Sequence, residues 1–240
     1  MLFALMGTSV QATEMTRAFL DSVTHYKENN FAEAISAFSK IAETGVKNSK
    51  LFYNLGNAYL KNDDLGHAIL WYERALRLAP DDPDLKFNHE YAVSQVRDER
   101  EDKSLSAFRI LFFWKHVLNP KTVQWTAIIL NLVFWLSMVV RMIQRKKRIL
   151  RTPGYLLMGL ALVFTFTASY NYYEAAYVKR GVILPTEVSV RSGLADKATE
   201  LFVLHAGTKV RIEKEHKGFF RIFFSEGKIG WIKKSDAGSI

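Results

Sequence analysis

The sequence predicts a multidomain membrane protein: an all-α helical solenoid, then a two-helix transmembrane hairpin, then a small all-β barrel. Three observations predict it. Ala34 and Ala68 stand one helical-repeat period of 34 residues apart; two charge-free stretches, 122–140 and 155–173, have membrane length; and from about Gly181 apolar and polar residues alternate between glycine turns. Charged residues dominate to about position 104, and a largely apolar region runs to Tyr177. The resulting divisions are a signal-like segment (1–12), a repeat domain with a capping helix (13–98) and a linker with an interfacial helix (99–121). They continue with a first span (122–140), a basic loop (141–154), a second span (155–173) and a barrel (180–236).

The better repeat copy begins at Ser49, with Phe52, Leu55, Gly56 and Tyr59 on its first helix and Ala68, Tyr72, Ala75 and Pro80 on its second. This is the tetratricopeptide pattern. Gly56 and Ala68 suit a close helix crossing, where only small side chains fit, and Phe52, Tyr59 and Tyr72 fill the space around them. Pro80 stops the second helix, and Asp81-Asp82 starts the turn into the next. The first copy is degenerate but in phase, with Ala34, Phe38 and Ile41 on its second helix. A further helix over 83–100, apolar at Leu85, Ala92, Val93 and Val96, reads as a terminal cap.

Such solenoids bind protein segments on the concave face lined by the first helix of each repeat. That face would carry Lys50, Tyr53, Asn54, Asn57 and Lys61, continued by Asn88 and Tyr91. A solvated helix face accounts for each polar residue as well as a ligand contact does. The positions that clamp carboxylates in chaperone-binding repeats are here Phe19 and Val23, then Asp84 and Asn88, so that clamp is absent.

At 1.5 Å per residue the 122–140 stretch makes about 28 Å of helix, close to a bilayer core. The second stretch is equally free of charge and follows the breaker pair Pro153-Gly154. Arg141, Arg145, Lys146, Lys147, Arg148 and Arg151 lie between the spans with no acidic residue, which predicts a cytoplasmic loop with both flanking modules on the periplasmic side. Trp125 and the tyrosines 170, 172 and 173 form an aromatic belt at that same face. This topology needs an exported N-terminus. The start resembles the apolar end of a signal peptide, with Val10 and Ala12 at small-residue cleavage positions but no basic n-region. Either the true start lies upstream or the segment stays uncleaved. The 105–118 stretch mixes Phe108, Leu111, Phe112 and Trp114 with Arg109, Lys115 and His116; it fits an amphipathic helix at the membrane surface, or one packed on the helical module.

In the C-terminal region, Val210 and Ile212 face one way and Lys209 and Arg211 the other, with turns at Ser192-Gly193, Ala206-Gly207, Lys217-Gly218 and Glu226-Gly227. About five short strands in this length predict a closed barrel without exposed edges. The segments VSVRSG from Val188, HAGTKV from His205 and GKIGWI from Gly227 resemble the bacterial SH3 pattern, with Leu194 where that family usually has proline. That resemblance implies a wall-peptide groove lined by Trp231 or Phe220, although Trp231 is more often a core residue in this fold.

Function classes narrow quickly. The net charge of +9 is concentrated, since six of its basic residues sit in the interspan loop, so no nucleic-acid face is predicted. There is no cysteine, which removes disulfides, thiolate metal sites and cysteine nucleophiles. No H-E-x-x-H, G-x-S-x-G or phosphate-binding glycine motif occurs, and the six histidines are scattered. Neither catalysis, a cofactor nor a metal is expected.

The order of parts, with NLGNAYLK and DPDLKFNHEYA in the repeat region and ELFVLHAGTKV in the barrel, is similar to the BatE-type aerotolerance proteins. The resemblance implies a non-enzymatic scaffold of the inner membrane, contributing to tolerance of oxygen or oxidative stress. Its implied partners are Bat-family membrane proteins with von Willebrand A domains and a MoxR-type ATPase. Membrane lipid is a further expected partner, and peptidoglycan becomes one if the barrel acts as a wall anchor.

Overall fold

The computed structural model describes residues 2–99, 114–143, 151–194 and 198–240, and of 2–13, 115, 116 and 151–153 the backbone alone. The chain forms two compact units: Met1–Glu101 together with Lys179–Ile240, and Asp102–Val178.

In the first unit, helices α1 (Leu2–Lys27), α2 (Phe31–Glu43), α3 (Ser49–Lys61), α4 (Leu65–Leu78) and α5 (Pro83–Val93) pack as successive antiparallel neighbours. Their starts are set locally. Asn48 Oδ1 accepts from the backbone N–H of Lys50 and Leu51, Asp64 Oδ1 from that of His67, and Asp82 Oδ1 from those of Asp84 and Leu85, with Pro83 at the first helical position. The backbone repeats as the sequence does: Asn29 and Asp63, one repeat apart, both take the left-handed conformation (φ 62° and 58°) in the turn inside their repeat. Asn and Asp tolerate that region better than other side chains.

The core of the first repeat takes Ala34, Phe38 and Ile41 from α2 and borrows Leu51, Leu55 and Ala58 from α3 of the next repeat. Ala68, Ile69, Leu70, Tyr72, Ala75, Leu85 and Ala92 form that of the second. Gly56 lies flat against the Tyr72 ring, where a Cβ would come within 2.6 Å. Helix α1 runs unbroken from the signal-like segment into the first repeat; Met1 lies outside the described residues. Helix α5 is shorter than the 83–100 helix expected. It ends at Val93, where the Ser94 hydroxyl donates to the Tyr91 carbonyl at 2.7 Å and the chain turns away toward the sheet.

Among the described residues seven strands, where about five were expected, make one antiparallel sheet in the order β3-β2-β6-β5-β4-β1-β7. They are β1 (Lys179–Ile183), β2 (Glu187–Arg191), β3 (Glu200–His205), β4 (Lys209–His216), β5 (Phe219–Ser225), β6 (Lys228–Lys233) and β7 (Ala237–Ser239). The two terminal strands escaped the periodicity reading because β7 has three residues and β1 shows no alternation. Every strand contributes to one core, from Ile183 on β1 and Leu204 on β3 to Ala237 on β7, so the sheet curls around its own interior. In the pairing, β3 and β7 are the two ends of the sheet. One tight hairpin joins His216 to Phe219 through Lys217 and Gly218, both at positive φ (46° and 80°), as a two-residue turn matched to strand twist requires.

The sheet is seated on the repeats. Val182 belongs to the second repeat's core, the Gly238 backbone meets Leu70, and Gly66 on α4 leaves no room for a Cβ beside the Leu184 backbone.

The second unit contains α6 (Trp114–Val117), α7 (Pro120–Ile143) and α8 (Arg151–Tyr177). Most of the expected interfacial helix, 105–113, and the basic residues of 144–150 lie outside the described residues. Helices α7 and α8 pack through Val123, Ala127, Ala161 and Thr167, and Asn131 Nδ2 donates to Thr165 Oγ1 at 2.8 Å. Among the described residues, only α7 is long and apolar enough to cross a membrane, with mean hydropathy 2.0 over its most apolar stretch. Asn171 and the tyrosines make α8 less apolar. One such helix also fits a soluble core, though just 6% of that stretch is buried.

Candidate functional site

Positions 50, 53, 54, 57 and 61 follow helical spacing, so Lys50, Tyr53, Asn54, Asn57 and Lys61 share one face of α3. Helix α5 brings Asn88 beside it. Asn88 Nδ2 donates to both Tyr53 Oη and Asn57 Oδ1, each at 2.9 Å, and Tyr72 Oη donates to Asn57 Oδ1 at 2.6 Å. The structure therefore joins three of the seven predicted face residues into one network and adds Tyr72, which the sequence marked for packing alone. Lys50, Lys61 and Tyr91 are exposed and Asn54 is half-buried, outside these bonds.

The network has a dry floor. Tyr72 is fully buried, and its burial pushes the hydroxyl well above the usual tyrosine range, with Tyr53 and Tyr26 adding to the effect. A neutral Tyr72 hydroxyl thus holds Asn57 Oδ1 across the physiological range. The orientation of both amides follows from the donors they face. Asn57 Oδ1 is taken twice and Asn88 Nδ2 is taken twice. What remains for a ligand is the Asn57 amide nitrogen as donor and the Asn88 oxygen as acceptor.

At the carboxylate-clamp positions of the first repeat, Phe19 and Val23 pack into its core. On the sheet, Phe220 is 3% exposed in the core. Its neighbour Phe219 instead joins Trp231, Arg191 and Glu187 in lining a cleft of about 320 Å³. No group of three His, Asp or Glu side chains suited to a metal occurs among the described residues.

Two polar clusters that sequence reasoning missed fasten the sheet to the helices. Glu73 on α4 meets Lys209 Nζ and His89 Nε2, each at 2.8 Å. Burial by itself would raise the Glu73 carboxyl, but His89 and Lys209 outweigh it and bring its pKa down to about 2. Asp98, just after α5, accepts from the His205 backbone N–H at 2.7 Å and from Thr208 Oγ1 at 2.5 Å, and its other oxygen meets His205 Nδ1 at 2.8 Å. Burial opposes its charge; the Thr208 and His205 bonds prevail and lower its pKa. Arg74 Nη2 adds a bond to the Ser239 carbonyl at 2.9 Å. The partners that join helix to sheet lie more than a hundred residues apart in sequence, where no local pattern points to them.

Comparison with known proteins bears on the helical part of this site. No curated protein matches the chain. Residues 49–82 match the tetratricopeptide repeat, so the face residues of α3 lie on such a repeat, and repeats of this kind mediate protein–protein interaction.

Proposed function

We propose that the chain is a non-enzymatic, membrane-anchored adaptor whose concave repeat face holds an extended segment of a partner protein. The observation that carries this reading is the hydrogen-bond network, which presents an amide donor on Asn57 next to an acceptor on Asn88. Such a pair complements the C=O and N–H of a peptide backbone. Lys50 and Lys61, at the two ends of the α3 face, favour a segment with acidic side chains.

The membrane part of the proposal is supported by α7, whose Trp125, Leu132 and Leu136 are each at least 60% exposed. An apolar surface of that extent calls for a cover, and hydrocarbon supplies one. With α8 as the second span, the basic loop faces the cytoplasm and the repeat and sheet modules face the periplasm. The resemblance to BatE-type proteins then suggests an envelope complex with von Willebrand A-domain Bat proteins and a role in oxygen or oxidative-stress tolerance.

The test is photo-crosslinking in intact bacterial membranes from position 54, with position 40 on α2 as control. Partner adducts at 54 that disappear with Lys61→Glu and Tyr91→Ala, while the chain stays in the membrane fraction, are expected. Adducts unchanged by both substitutions overturn the reading.

The cleft at Trp231 and Phe219 favours a second reading, a wall anchor built on an SH3-like barrel. In that case the chain sediments with peptidoglycan and Trp231→Ala abolishes it.

A further inference from the structure

The two helical hairpins of the solenoid share a period but not the side chains between their helices. In the second repeat Phe52 on α3 and Trp71 on α4 meet as tilted rings 5.1 Å apart, and both pack against the core of the repeat before theirs. One period earlier the same two places hold Ala18 and Ala37. The stacked pair Tyr59 and His67 is likewise replaced by His25 and Glu33, and the fully buried Leu55 by the exposed Asp21. Helices at similar spacing that exchange rings for methyl groups leave space behind. The first repeat accordingly carries an open groove of about 650 Å³ between α1 and α2, with Ala18 and Ala37 among its walls.

The solenoid itself shows what fits such a groove. In the second repeat, the face that carries Leu55 and the aromatic pair is covered by a helix, α2. On the first repeat the corresponding Ala18 and Asp21 are exposed, and no helix lies over them among the described residues. A helix laid between two antiparallel helices is how a repeat stack continues, and a large side chain on it would fill the space that the two alanines leave. Charge narrows the occupant further. Glu14, Asp21 and Glu33 line the groove against Lys40, and none of the three carboxylates has an ion-pair partner among the described residues.

We infer that this groove binds an amphipathic helix of a partner protein. That helix presents a large aromatic side chain to Ala18 and Ala37, and lysine or arginine to Glu14, Asp21 and Glu33. The site is separate from the concave face, where Lys50 and Lys61 favour acidic side chains, so the two surfaces select opposite charges.

The test titrates the full chain, in phosphatidylcholine nanodiscs, with three alanine-based helical peptides. One has a central Trp between lysines, one has the Trp between glutamates, and one keeps the lysines with Ala in place of Trp. Because the chain has no cysteine, Ser36→Cys puts a single fluorophore at the groove. The lysine–Trp peptide should bind at least about tenfold more tightly than either of the others. Ala37→Trp, which installs the second repeat's side chain, should abolish that binding without lowering the thermal midpoint. The triple variant Glu14→Gln, Asp21→Asn and Glu33→Gln leaves the groove open and should weaken binding about tenfold, a readout that does not depend on Ala37→Trp folding. Position 40 lies on the rim of this groove, so its crosslinks report this partner, whereas those from position 54 report the other and persist in Ala37→Trp. Equal binding of the lysine–Trp peptide by parent and triple variant, or no binding of any peptide, overturns the site and leaves a solvated end of the stack. Equal binding of the glutamate peptide overturns the basic partner. A dimer in native mass spectrometry that Ala37→Trp dissociates overturns the partner protein in favour of a second copy of this chain.

Discussion

Asn88 donates from Nδ2 to Asn57 Oδ1 at 2.9 Å, linking the third helix of the solenoid to the fifth across the candidate partner-binding face. Asn57 Oδ1 also receives the hydroxyl of the fully buried Tyr72. Replacing Asn57 with Ala therefore strands a buried hydroxyl and should cost about 1–3 kcal/mol of stability. Adding Tyr72→Phe removes the stranded group and should recover much of that loss. Denaturant unfolding of the two single variants and the double variant, in detergent, measures the coupling; strictly additive costs would show the bond to be idle.

The Tyr72 hydroxyl also gives the repeat an alkaline limit. Its folded-state pKa is raised by burial, so the neutral form is favoured in the fold and its stabilisation is complete below the ordinary tyrosine value of 10. As pH climbs beyond 10 the unfolded chain ionises first and stability falls. Stability profiles from pH 9 to 12 should show this slope in the parent and a shallower one in Tyr72→Phe.

The repeat was legible in the sequence because its packing positions recur at fixed spacing and each has a steric reason, as Gly56 against Tyr72 illustrates. Caps such as Asn48, Asp64 and Asp82 act within three residues and belong to the same local grammar. The polar half of the site was legible only as a list of residues on one face. Whether Asn57 and Asn88 meet depends on the angle between α3 and α5, which tertiary packing decides. The seating of the sheet on the helices was invisible, since Asp98 and His205 or Glu73 and Lys209 are ordinary surface-type residues until the fold brings them together.

Asp98 holds three donors at the junction, from His205 and Thr208. Asp98→Ala leaves them unpaired at a half-buried site, and a loss of about 1–3 kcal/mol is expected. Because the bonds tie the chain after α5 to the β3–β4 turn, the substitution should also open that region to proteolysis. Cleavage near Ala206 that rises in Asp98→Ala, with the α3–α4 repeat still protected, is the expected pattern; a uniform change across the chain would count against a local clasp.

Acid should loosen the second clasp. The Glu73 carboxyl has a folded-state pKa of about 2 against an ordinary 4.5, because His89 and Lys209 outweigh its burial. A depressed carboxylate pKa stabilises the fold fully above the unfolded value and loses that contribution as pH falls through the folded one. The window is therefore pH 5 down to 2, and a shift of this size corresponds to on the order of 3 kcal/mol. Glu73→Gln, a near-isostere without the charge, should be less stable than the parent at pH 6 and approach it near pH 2. Parallel acid-unfolding curves for the two chains would show that Glu73 does not carry the seating of the sheet.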